Sequence, residues 1–537
     1  MIKIACDVLV IGGGAAGSRA ALEAKRCSPQ LQVALAVAGK YGKTGSTQLI
    51  ASESLGINAP FNYAADGDNP DIYFQDMLAT GGGLSDPRLC RIIADESCAR
   101  IQDLISLGLA FDSKEGIPIQ TKLSGCTKAR SLTCGGSTGV EMLRALAKGN
   151  SEAGVEVLEH VRILDLWQGE DGRVIGAVGL KGQEEVRIRA GATVLATGGA
   201  GRLFRHNVNP PTLEGDGWAM AYRAGARMVN MEFFQIGPAV VRPKMQFIIH
   251  SHMWKLRPKL TNACGEEFLA KYCPQGITPE EVIDAKTMSY PFSVRTIARY
   301  LDIAIFKELA CGRGTESGGI FLDVTHVGEA ELRRRAPITY ETLKKAGADL
   351  AKEKIELGLV VQNFNGGVLI DGDGWTGVAG LYAAGEVTGG VHGSDRPGGN
   401  NLIDTQVFGC RAGRAAAAFA ETVRGKASGA VPKLAASVAA SPDPESVSCR
   451  AALYSRELTI IRRAEGLKEV LAFISQQAPA SYAEQNALLV GKIIALAALT
   501  REESRGTHYR EDFPNTIPQS MGRIVIRRGS NGEPEVS

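Results

Sequence analysis

Gly12, Gly14 and Gly17 form a G-x-G-x-x-G run inside "CDVLVIGGGAAGSRAALEAKR", a spacing suited to holding a pyrophosphate. Gly12 permits a tight turn, Gly14 lets backbone approach phosphate oxygens, and Gly17 lets a helix lie close to a strand. A helix starting at Ala15 and Ala16 would offer unpaired N–H groups and a partial positive charge to that anion. Such glycines need a strand before them and a helix behind. Val8 to Ile11 is an apolar, β-branched run typical of a buried parallel strand. Ala15 to Lys25 is rich in helix formers, and Leu31 to Ala38 is a second apolar run, so a strand–helix–strand unit is expected. One feature is missing. An acid usually follows about 20 residues on, where it binds a ribose. Here "VALAVAGK" has Ala36, Ala38 and Gly39, which leaves Lys40 or backbone groups for that task and argues against NAD.

The remaining chain extends this α/β reading. A helix-rich region is expected from about Pro70 to Asn150, then a hairpin around Asp171-Gly172. "AGATVLATGGAG" returns to the buried-strand pattern. From about Met231 to Leu350 glycines thin out, as in an inserted second domain, and they return at "NGGVLIDGDGWTGVAGLYAAGEVTGG". Ala427 to Glu445 has the Ala, Ser and Pro content of a linker, and Arg456 to Arg505 has helical periodicity.

Glycine makes up 64 of 537 residues, well above the usual share of about 7 %, which suits many tight turns and close approaches to a ligand. The net charge of +2 provides no global field for nucleic acid or an anionic membrane. The 11 cysteines show no C-x-x-C pair, so no iron–sulfur or zinc framework is expected, and their odd number fits reduced thiols in the cytoplasm. No stretch reaches the roughly 18 apolar residues of a membrane span.

Several longer segments carry a resemblance. "GSTQLIASESLGINA", "ATVLATGGAGRLF", "PTLEGDGWAMAYRAGARMVNMEFFQ", "GLYAAGEVTGGVHGSDRPGGNNLIDTQVFGCRAGR" and "REESRGTHYREDFP" are spread over nearly the whole chain. With the first glycine motif they resemble the flavoprotein subunits of fumarate reductase and succinate dehydrogenase, L-aspartate oxidase and the adenylylsulfate reductase α subunit. The resemblance implies a Rossmann-like FAD-binding domain in two parts (1–230 and 353–426), an inserted α+β capping domain (231–352), a helical C-terminal domain (446–515) and a tail (516–537). It implies hydride or electron transfer between FAD and a substrate held under the cap. It also implies FAD contacts at Gly45, Ser46, Thr47, Ala51, Ser52, Thr197, Gly198, Gly199, Asp216, Gly385, Glu386, Asn401 and Leu402, in addition to the first glycine loop.

For the substrate, the resemblance points to Arg396 as the carboxylate anchor, a role suited to a rigid guanidinium fork. It places His392 beside the flavin and Glu386 on the FAD ribose. Membrane-bound relatives link FAD through a histidine where this chain has Thr47, so non-covalent FAD is expected. Two histidines that bind dicarboxylates are replaced by Gly237 in "FFQIGP" and Gln362 in "QNFNGG". Gln235, Gln362 and Trp254 are taken as substrate contacts. Trp254 with Lys255, Arg257 and Lys259 could meet a larger anion or be core with a charged edge. The proton-donor arginine is Arg295 or Arg299, with Arg299 preferred.

The leading expectation is an FAD-dependent oxidoreductase acting on a small anionic substrate other than fumarate. The alternatives are an adenylylsulfate-reductase-like subunit with an iron–sulfur partner, an L-aspartate-oxidase-like enzyme, and a non-catalytic flavin subunit of a redox complex. An iron–sulfur or other electron-transfer partner and an oligomeric state are implied, with no metal site in the chain itself.

Overall fold

The apolar run that opens the chain becomes the middle of a parallel sheet. The computed structural model describes residues 1–50, 55–245, 247–424, 443–519 and 522–537. Strand β1 (Ile2–Ile11), helix α1 (Ala15–Cys27) and strand β2 (Val33–Val37) form the expected unit, with β1 and β2 parallel and Val8 opposite Val33. Strand Glu184–Leu195 pairs parallel with β1 on its other side, and Glu156–Glu159 pairs parallel with β2. Both faces of these central strands are covered. Val8, Leu9 and Val10 are therefore fully buried, which explains a continuous rather than alternating apolar run. The turn at Asp171-Gly172 joins the antiparallel strands Arg162–Gln168 and Val174–Lys181, which extend the same sheet.

A second, antiparallel sheet runs Phe247–Ile248, Phe234–Arg242, Ile355–Phe364, Ile320–Asp323, Lys259–Thr261. With helices Pro279–Lys286, Arg299–Ala310 and Pro337–Lys345 it encloses its own apolar core around Trp254, Leu301, Ile305 and Tyr340. This core also holds an ion pair, Lys286 Nζ to Asp302 Oδ2 at 2.5 Å, with neither side chain exposed. Asp302→Leu leaves the ammonium buried without its partner. We expect a loss of about 3–5 kcal/mol in denaturant unfolding, and recovery of most of it in Lys286→Met/Asp302→Leu, because a paired apolar replacement removes both desolvation costs.

Helices Pro444–Glu457, Ala464–Ser475 and Tyr482–Thr500 follow. Most of the proposed linker falls on 425–442, outside the described residues. Its last residues, Pro444 and Glu445, instead begin a helix capped by Asp443, whose carboxylate accepts from the Ser446 N–H. Helix Tyr482–Thr500 is long and apolar enough to cross a membrane, contrary to the expectation from the sequence. Some 61 % of its 18-residue apolar window is buried inside the protein, where the helix packs against Ala464–Ser475 and Asp216–Arg223. The last residues are not a bare tail. Val525–Arg528 pairs with Met228–Val229 and with Pro534–Val536, and it buries Ile526.

Candidate active site

The carboxyl ends of β1, β2 and Glu184–Leu195 open onto a cavity of about 480 Å³, a volume typical of cofactor and ligand sites. Ile11 to Ala16, Ala36 to Ala38 and Ala196 to Gly198 line it. The three glycines are required for different reasons. Gly12 has φ +114°, and a Cβ there would lie 2.2 Å from the Ala196 carbonyl oxygen. A Cβ on Gly17 would lie 1.8 Å from the Gly12 oxygen, so this glycine sets how closely α1 meets β1. Gly14 is not crowded: its nearest neighbour would be Thr47 Oγ1 at 3.6 Å. Its free face belongs to the cavity, at the N-terminus of α1.

Gly45, Ser46 and Thr47 line the same cavity, and the Thr47 hydroxyl accepts the Ala15 N–H at 3.2 Å. Ala51 and Ser52 lie outside the described residues. Thr197 and Gly198 are in the wall, and Thr197 Oγ1 is buried with no hydrogen-bond partner. Gly199 and Gly385 stand behind the wall. The Gly199 N–H donates to Glu386 Oε2 at 3.2 Å, and Gly385 packs on Ala16. Asn401 and Leu402 line the cavity at the start of helix Asn400–Val423, with the Asn401 amide donating to Asn363 Oδ1 at 2.6 Å.

Lys40 is exposed and is not part of the wall, because the chain turns outward after Ala38. The polar groups that could replace the missing acid come from elsewhere. Glu386 reaches the cavity and accepts from the backbone N–H of Phe364 and Gly199. Asp216 is held by Arg162 Nε at 2.9 Å and by the Asn486 amide at 2.7 Å. Arg162, on the hairpin, also lines the cavity and was not anticipated, since nothing in its sequence neighbourhood marks it.

Burial raises the Glu386 carboxyl from 4.5 to about 7, opposed by the two backbone N–H groups and Arg396. The folded value is the higher one. Glu386 therefore stabilises the flavin-free protein fully below pH 4.5, and that stabilisation is lost as pH rises through about 7. The thermal midpoint of flavin-free protein is expected to fall over this window, and to fall less in Glu386→Gln.

Arg396, 9 % exposed, also lines the cavity. Its Nη1 donates to the Pro397 carbonyl at 2.9 Å and its Nη2 to Gln235 Oε1 at 2.6 Å, while Nε is buried with no partner. Burial lowers this guanidinium to about 10, offset in part by Asp395, Glu386 and Asp404, so it stays charged near neutrality. Gln362 also lines the cavity, and its Oε1 is buried and unpartnered. The loop bearing Arg396 is braced by the C-terminal segment: Thr507 N–H donates to the Ser394 carbonyl at 3.0 Å, and Val294 N–H to that of Gly506 at 2.8 Å. Arg501, Glu503 and Arg510 anchor that segment from inside.

Four expected contacts are placed differently. Gln235 does not line the cavity; it holds Arg396 and donates to Asp395 Oδ1 at 3.3 Å. His392 lies behind Asp404, its Nε2 3.4 Å from the carboxylate, and Asp404 forms the wall. Arg299 is spent elsewhere: Nη1 donates to the Val294 carbonyl at 2.7 Å and Nη2 to the Tyr300 hydroxyl at 3.0 Å. Arg295, the other candidate, comes within 3.8 Å of Asp395, next to Arg396. Trp254 is fully buried in the capping core, away from the cavity, while Lys255, Arg257 and Lys259 alternate outward. In its place the cap contributes His250, which lines the cavity and was missed because "FIIHSHMW" carries no motif.

Residues 7–402 match the FAD binding domain family, and residues 474–531 match the fumarate reductase flavoprotein C-terminal family. The chain belongs to the fumarate reductase/succinate dehydrogenase flavoprotein family. It is similar to a subunit of the fumarate reductase (CoM/CoB) of Methanothermobacter marburgensis, at 34 % identity over 97 % of each chain. It is also similar to L-aspartate oxidase of Caulobacter vibrioides, at 32 % identity over 97 % of this chain and 96 % of that one. The solved Mycobacterium smegmatis Sdh1 in complex with UQ1 superposes with a TM-score of 0.82 at 28 % identity, covering 100 % of this chain and 94 % of the other. This flavoprotein is thus an FAD-dependent oxidoreductase. Its own residues fit the cofactor: an open glycine face at a helix N-terminus for the pyrophosphate, the unpartnered Thr197 hydroxyl, and the carboxylate of Glu386.

Proposed function

We propose that the protein transfers hydride or electrons between non-covalent FAD and a small anionic substrate bound at Arg396. The observation that carries this reading is the buried guanidinium in the wall of the flavin cavity, with its Nε left without a protein partner. When bound, FAD supplies the redox chemistry. Arg396 binds and orients the anion, and Gln235 and the Pro397 carbonyl hold its fork in place. Asp395 and Asp404 keep it from being an isolated buried charge. Gln362 offers a free amide terminus to the substrate. Arg295, 3.8 Å from Asp395 and partly exposed, is the arginine that would donate a proton to the substrate, since Arg299 is held by Val294 and Tyr300.

Gly237 and Gln362 support a substrate other than fumarate. A second reading keeps fumarate, supported by the 34 % identity to the Methanothermobacter marburgensis fumarate reductase chain. That chain is one subunit of its enzyme, which supports an electron-transfer partner here. Trp254 is buried in the capping core, the core alternative for that residue, and is not free to stack on a larger anion. The 11 unpaired cysteines support a reducing compartment.

Thr47 has no ring nitrogen with which to form a covalent link. Acid precipitation of the yellow protein should therefore leave the flavin in the supernatant. Flavin retained in the pellet, or a protein without flavin absorbance, would refute this reading.

A further inference from the structure

The cavity wall contains few cationic groups. Among the described residues that line it, the only arginines are Arg162 and Arg396, and there is no lysine. Arg162 is committed to Glu214 at 2.6 Å and Asp216 at 2.8 Å. Arg396 is therefore the one lining cation not committed to a carboxylate, and Arg295, 3.8 Å from Asp395, stands outside the wall. To the same cavity the capping half supplies Met245, Phe247, Ile248, Ile338 and Thr342, together with the ring of His250.

His250 is buried, and its ring meets the edge of Tyr290 at 5.3 Å. Tyr290 fills the space beside Gly237: a Cβ there would lie 2.7 Å from its hydroxyl oxygen. That hydroxyl is buried with no partner. Burial drives the imidazole down to about 3 and the phenol well above its ordinary value, so both groups are neutral. Tyr290 also backs onto Lys286, but that ammonium is neutralised by Asp302. Among the described lining residues, the cap side of the cavity thus offers a neutral imidazole, the Thr342 hydroxyl and apolar carbon, with no charged side chain.

We propose that the substrate is an acid with a single charged end. Arg396 takes that end, while the other, uncharged and largely apolar, lies against Met245, Phe247, Ile248, Ile338 and the ring of His250. This rests on the flavin–Arg396 reading above and narrows its substrate class. A second carboxylate on the cap side would lose its water and gain no cation, a large penalty for a buried charge.

The test is a titration of the FAD-loaded protein followed by flavin absorbance, with butanoate and hexanoate against succinate and fumarate. The monocarboxylates should bind about ten-fold or more tightly than the dicarboxylates, with hexanoate the tightest. Ile338→Lys adds a cation to the cap-side wall at a partly exposed position. It should shift the preference toward succinate. Dicarboxylates binding as tightly as hexanoate in the unmodified protein, or an Ile338→Lys ratio that does not move, would overturn the inference. Arg396→Ala separates the two levels of the argument. If every affinity is unchanged by it, the anion does not sit at Arg396 and the underlying reading falls. If dicarboxylates win and Arg396 is needed, only the single-charge inference falls.

Discussion

Arg396→Ala loses most turnover while keeping its FAD. The guanidinium is 9 % exposed and lines the cavity from a different segment of the chain than the glycine loop. Removing one partner of a buried charge contact costs roughly 2–5 kcal/mol, and here the charge left unpaired is the substrate's own. That corresponds to about 30-fold to several thousand-fold in kcat/KM. Arg396→Lys should recover only part of it, since an ammonium cannot reproduce the fork that Gln235 and the Pro397 carbonyl orient. Steady-state kinetics together with the flavin-to-protein absorbance ratio checks both halves. Unchanged turnover of an Arg396→Ala complex would mean that the protein carries flavin without using this site.

Gly17→Ala should be among the most damaging single methyl groups in the protein. The new carbon would lie 1.8 Å from the Gly12 carbonyl oxygen, a backbone atom that cannot rotate away. Helix α1 would have to lift from β1, and with it the N-terminus that faces the cavity. Overpacking of this kind costs about 1–3 kcal/mol or more, and we expect a flavin-free protein with a lower thermal midpoint. Gly14→Ala is the informative contrast. Its Cβ would meet only Thr47 Oγ1, at 3.6 Å. The fold should survive, and FAD should be lost because the methyl group occupies the face reserved for the pyrophosphate. Flavin content and thermal midpoint, measured on both variants, separate crowding of the fold from crowding of the ligand.

These contrasts show which features were legible in the sequence. The strand–glycine–helix unit was, because its glycines answer to local backbone sterics and its strands to burial on both faces. Arg396, Gln362 and Glu386 could be located because they sit in long characteristic segments. Residues whose role depends on distant packing could not be placed this way. Trp254 and His250 are four residues apart, and nothing local says that the first enters the capping core while the second faces the cavity. Arg295 and Arg299 flank the start of one helix. Only the packing of that helix shows that one reaches Asp395 while the other is occupied by Val294 and Tyr300. The last strands were missed for a related reason. Val525–Arg528 is too short to signal a strand alone, and it becomes one by pairing with Met228–Val229.

The most direct test is a crystal structure of the FAD-loaded protein with a bound carboxylate. The pyrophosphate should lie over Gly14 at the N-terminus of α1, and the carboxylate should be within hydrogen-bond distance of Arg396 Nε. A carboxylate seated anywhere else in that cavity, with Arg396 Nε still unpaired, would contradict the central claim.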